Sequence, residues 1–131
     1  MRQAMRGIAT LGVAAILAAC SGGGGGAPAP GGGGSTAAAP CVDSTAPTIV
    51  SASVKGNTWT PATVTAKVGD VITWTNDDAV SHGVALDDGS CAMGGTIPGG
   101  GGARSLVFSV AGTFSFHCSV HSSMKGTITI S

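Results

Sequence analysis

The chain has 131 residues, six Lys and Arg against six acids that are all Asp, and a formal net charge of zero. That length suits one domain, and so sparse a charge provides no basic face to neutralise phosphates, which argues against a nucleic-acid partner. The 23 glycines would spoil a packed core if spread evenly, but many gather in one N-terminal tract.

Residues 1–20 have the organisation of a targeting segment: Arg2 and Arg6 form a basic start, and Ile8–Ala19 is an apolar run too short to span a bilayer as a helix. The run ends Leu17-Ala18-Ala19-Cys20, which resembles the lipobox of bacterial lipoproteins, L-[AS]-[AGS]-C. The resemblance implies that Cys20 is lipidated through its thiol and becomes the new N-terminus. Ser21 in place of Asp further implies the outer membrane if the cell is Gram-negative. Cleavage of an ordinary secretory signal after an A-x-A site is the plainer alternative. Without the leader, Lys55, Lys67, Arg104 and Lys125 face six Asp, a net charge of −2. Residues 21–40 are Gly, Ala, Pro, Ser and Thr with no large apolar side chain, so they read as a flexible tether with a typical reach of about 25 Å. The expected organisation is a lipoprotein signal peptide over 1–19, a lipidated Cys and disordered tether over 20–44, and a folded domain over 45–131.

From Thr45 the sequence changes to short alternating runs punctuated by turns, the pattern of an all-β sandwich or barrel. Strands are expected at Thr48–Val54 and at Thr63–Val68, where Val64, Ala66 and Val68 would share a face. Gly69-Asp70 turns the chain into Val71–Asn76, with Ile72 and Trp74 inward. Val84–Leu86 is a short strand. Asp87–Ala103 is Gly-rich and reads as a long loop. Ser105–Val110 groups Leu106, Phe108 and Val110. Ala111-Gly112 turns into Thr113–His117, and Thr127–Ile130 closes the domain with Ile128 and Ile130 paired. No stretch has a helical period.

Chemistry concentrates in T-F-S-F-H-C-S-V-H-S-S-M-K-G, Thr113–Gly126. Alternation puts Phe114, Phe116 and Cys118 on one strand face, and the following loop presents His121 and Met124. A thiolate, an imidazole and a thioether suit copper, which takes two His and one Cys in a trigonal plane with a weak axial Met. C-x-x-H alone is also half a zinc site, but zinc has no use for the Met. The second imidazole is expected from His82, in the loop after the Trp74 strand. His117 adjoins Cys118 and points to the opposite face, as a non-ligand near the surface. With Cys20 lipidated and Cys118 on metal, Cys41 and Cys91 are left, and in an exported chain they are expected to form a disulfide.

These residues together resemble the cupredoxins, small blue-copper proteins of the plastocyanin/amicyanin type. The shared pattern is Pro61-Ala62-Thr63-Val64, Lys67-Val68-Gly69-Asp70-Val71, Trp74-Thr75-Asn76, His82-Gly83-Val84 and the whole terminal stretch. It covers about Val50 to Ile130. The resemblance implies a Greek-key β-sandwich holding one type 1 copper ion through His82, Cys118, His121 and Met124. It further implies a monomeric one-electron carrier rather than an enzyme, passing electrons between redox partner proteins through the exposed edge of His121. With the lipobox, the location would be the bacterial cell envelope, held to the membrane by lipid. A copper-binding or delivery protein without electron transfer is the alternative. Two positions depart from the pattern. Gly83 stands where many relatives have a polar side chain that braces the ligand loop, and Val120 stands where relatives with a short loop often have Pro.

Overall fold

The computed structural model describes residues 37–131. The leader, Cys20 and most of the tether lie outside the described residues. Within them the chain forms nine strands and no helix: β1 Cys41–Ser44, β2 Val50–Lys55, β3 Thr58–Thr60, β4 Thr63–Ala66, β5 Val71–Asn76, β6 Val84–Leu86, β7 Gly102–Phe108, β8 Gly112–Cys118 and β9 Lys125–Ile130. They make two mixed sheets, ordered β1-β7-β5-β2-β3 and β4-β9-β8-β6. The pairs β2–β5 and β4–β9 are parallel and the rest antiparallel. This is the Greek-key sandwich expected from the sequence.

The core follows from period-two alternation. Ala52, Val54, Ile72, Trp74, Leu106 and Phe108 face inward from the first sheet, and Val64, Ala66, Phe116, Ile128 and Ile130 from the second. Burying each of the larger side chains contributes roughly 1.5–3 kcal/mol. Two expected core residues are instead exposed. β4 ends at Ala66 because Lys67–Asp70 forms a turn, with Asp70 N–H on Lys67 O at 3.0 Å and Gly69 at φ 87°, which carries Val68 to the surface. β7 ends at Phe108, so Val110 lies in the bend that follows and is exposed too.

Two strands lie where none was expected. β1 falls inside the stretch read as tether and pairs along β7, Cys41 opposite Phe108. β3 follows the turn Gly56-Asn57, whose φ values of 59° and 57° are those of a two-residue hairpin. The segment between β6 and β7 is no free loop either. Its first part runs back along β6, with Leu86 N–H on Cys91 O at 2.8 Å, Met93 N–H on Val84 O at 2.9 Å, and His82 and Ile97 exchanging both backbone bonds. Met93 and Ile97 are buried under it. Cys41 and Cys91 are joined by a disulfide with 5.8 Å between their Cα atoms. The bridge therefore ties an edge strand of the first sheet to the segment lying beside the second.

Candidate metal centre

Three loops at one end of the sandwich build the site. β8 brings Phe116 and Cys118 inward, both fully buried, while Phe114 is partly buried against Phe108, ring centroids 5.2 Å apart. After Cys118 the chain turns tightly. Met124 N–H bonds His121 O at 2.9 Å, and Cys118 N–H bonds Met124 O at 2.9 Å. The loop's two ends, Cys118 and Met124, are thus tied to each other by their own backbone. Both side chains are buried, and His121 is partly exposed between exposed neighbours Val120 and Ser122.

His82 arrives from the loop after β5. Its carbonyl and amide are fixed by Ile97, and its ring is fully buried. Asn76 shapes this loop from inside: its Nδ2 donates to Val80 O at 2.8 Å and Ile97 O at 3.0 Å, and its Oδ1 accepts Asp78 N–H at 3.0 Å. Asp78 Oδ2 lies 3.0 Å from His82 Nε2. The carboxylate also takes the N–H groups of Gly56 at 2.6 Å and Asn57 at 2.9 Å. Those donors, Asn57 first, then Gly56, and then His82, hold its pKa below the ordinary carboxylate value. An ionised carboxylate only accepts hydrogen bonds, so His82 Nε2 is the donor, and in the neutral ring this leaves the lone pair on Nδ1. A carboxylate behind an imidazole in this way fixes the tautomer and raises the ring's strength as a metal ligand.

That lone pair faces two further donors. His82 Nδ1 is 3.5 Å from Cys118 Sγ and 3.3 Å from His121 Nδ1, and Cys118 Sγ is 3.9 Å from His121 Nδ1. A point equidistant from these three atoms is about 2.1 Å from each, the length of a metal–imidazole bond and close to that of a metal–thiolate bond. Two imidazoles and one thiol so spaced form a ready trigonal set for a borderline-to-soft ion. Met124 closes the same loop with its side chain buried.

His117 is on the other face of β8. Its Nδ1 lies 2.6 Å from Asp87 Oδ1, and Lys125 Nζ lies 3.3 Å from Asp87 Oδ2. Asp87 is therefore engaged with its own surface. Asp78 likewise points to His82 and the hairpin turn. Val120 keeps the N–H that a Pro would lack, and directs it to Cys118 Sγ at 3.4 Å. Gly83 takes no polar bracing role. A Cβ there would run into Ser119 Oγ, and the brace is made by backbone, Ser119 N–H to Gly83 O at 3.1 Å.

Three residues of the site escape a reading by spacing alone: Asn76, Asp78 and Trp59. Trp59 is buried on β3, ring centroid 6.2 Å from that of His82 and 5.4 Å from that of Phe116. Lys55-Gly56-Asn57-Thr58 carries a hairpin signal that could have placed it.

Comparison with known proteins gives a consistent set of matches. The family model for copper binding proteins of the plastocyanin/azurin family matches residues 48–131. Amicyanin from Paracoccus denitrificans is 37% identical over 67 residues, which is 49% of this chain and 51% of that protein, so the chain spans about half the length of this relative. Plastocyanin from Scenedesmus fuscus is 31% identical over 81 residues, 53% of this chain and 83% of that one. Among solved structures, an oxidized amicyanin variant superposes with a TM-score of 0.57 at 28% identity, over 63% of this chain and 81% of that chain. A reduced Cu(I) form of another amicyanin variant gives 0.61 at 25% identity, over 70% and 99%.

Proposed function

The chain belongs to the plastocyanin/azurin family of copper-binding proteins, and on that premise we propose that it is a membrane-tethered one-electron carrier of the bacterial cell envelope. His82, Cys118 and His121 would hold one copper ion, with Met124 as a weaker fourth ligand. Copper bound there supplies a one-electron couple, and the rest of the task falls to the chain. The observation that carries the reading is the triangle of Nδ1, Nδ1 and Sγ atoms, sized for a metal ion and fixed by backbone bonds on every side.

Electron transfer favours a site whose ligands barely move between oxidation states. His82 is locked by Ile97 and Asp78, and Cys118 by its place at the end of β8. His121 alone of the three reaches solvent, so its ring edge is the exit toward a redox partner protein. The surface beside it is Val120, an apolar contact that a transient partner could cover. The tether and the lipobox at Cys20 support a lipid-anchored carrier facing the periplasm or cell exterior. This role needs no substrate pocket and makes the chain a carrier and not an enzyme.

An absorption spectrum with electrochemistry tests the proposal. An intense blue thiolate-to-copper band with reversible one-electron reduction is expected. A pale site, or copper released on reduction, would instead indicate a copper-delivery protein.

A further inference from the structure

One hairpin reaches the metal centre at two separate points. The β2–β3 turn gives the N–H groups of Gly56 and Asn57 to Asp78, whose carboxylate holds His82 Nε2. Two residues later, Trp59 sets its indole edge-on to the His82 ring, with an interplanar angle of 65°. Its Nε1–H is directed at Met124 O at 3.4 Å, a long bond to a carbonyl that also accepts Cys118 N–H.

We infer that Trp59 is a positioning residue of the metal centre. Its ring braces His82, and its N–H holds the Met124 end of the ligand loop. The hairpin then sets the spacing between the loop after β5 and the loop after β8. This rests on the copper reading given above. The other tryptophan supplies the contrast. Trp74 is fully buried and touches Phe116, but its Nε1 has no hydrogen-bond partner among the described residues. Trp74 fills volume. Trp59, equally enclosed, spends its polar handle on the ligand loop, and a buried indole N–H is best placed where it meets an acceptor. Phe at position 59 would keep most of the packing and lose that link.

The experiment uses the full chain loaded with copper, as wild type, Trp59→Phe and Trp74→Phe. Both substitutions are expected to lower the melting temperature. Only Trp59→Phe should shift the reduction potential and the visible and EPR spectra. It should also release copper to a chelator about fivefold faster, the ratio that one ordinary net hydrogen bond sustains. A blue wild type beside a Trp59→Phe protein of identical potential, spectra and release rate overturns this inference alone, as does an equal shift in Trp74→Phe. A wild type that takes up no copper overturns the copper reading and this inference with it. If Trp59→Phe does not fold, indole proton exchange in the wild type decides. Trp59 should exchange more slowly in the Cu(I) form than in the metal-free form, with Trp74 unchanged, and equal rates for Trp59 in both forms overturn the inference.

Discussion

Cys118 and His117 are neighbours with opposite duties, because a strand turns successive side chains to opposite faces. Cys118 is buried against His82 and His121, whereas His117 pairs with Asp87 at the surface. Cys118→Ser should abolish the blue band, and His117→Ala should keep it. A folded His117→Ala protein without colour would reverse the assignment. Val120 acts through its backbone. With copper bound, its N–H to Cys118 Sγ would draw charge from the thiolate and so favour the more electron-rich Cu(I) state. Val120→Pro removes the donor and should lower the reduction potential with the ligand set intact. Voltammetry resolves this easily, since about 59 mV is a tenfold change for a one-electron couple. An unchanged or higher potential, with the same spectrum, would rule the donor out.

At the scale of elements, the segment between β6 and β7 and the edge strand β1 depend on each other. Each is short of partners on one side, and the disulfide joins them across a sequence separation of 50 residues. Replacing Cys41 and Cys91 together by Ser should cost about 2–4 kcal/mol in urea unfolding. Because Ile97 from this segment fixes His82, the same variant should also lose copper faster. Retention of wild-type stability would mean that the sheet contacts alone hold the segment. The acidic turn at the start of this segment adds a pH dependence. Asp88 is held below its ordinary pKa by the Ser90 hydroxyl and amide, and Asp87 by His117 and then Lys125. A carboxylate with a depressed folded-state pKa stabilises the fold above its unfolded value, and that stability is lost as pH falls through the folded one. The urea midpoint should therefore hold steady down to about pH 5 and decline below about pH 4. Asp88→Asn should flatten the decline, and an unaltered pH profile in that variant would exclude Asp88 as a contributor.

For the whole molecule, the folded sandwich holds the candidate metal centre, and the proposed membrane address rests on the sequence of the N-terminal stretch. The described residues contain no helix long and apolar enough to cross a membrane. The proposed membrane attachment rests instead on the lipobox-like motif that ends at Cys20. Cys20→Ser, with its leader cleaved, should move the protein from the membrane fraction to the soluble one. A cleaved variant that still sediments with membranes would refute the lipid anchor.

What could be read without the fold is local in the chain. β5 and β6 run where alternation put them, and the triad Cys118, His121, Met124 is declared by spacing within one loop. Turn chemistry and period-two patterning act over a few residues, so the sequence by itself determined an all-β domain with a soft-ligand loop at one strand end. β1 and β3 were not readable in this way. Cys41–Ser44 has no apolar alternation and Thr58–Thr60 is closed off at once by Pro61, so both exist because β7 and β2 pair with them. Only the tertiary structure decided that Asp78 reaches a hairpin turn 21 and 22 residues away, and that Trp59 meets a carbonyl 65 residues downstream. It also decided that a glycine-rich segment would cover His82. Such contacts depend on which surfaces the two sheets bring together, and no local spacing encodes that meeting.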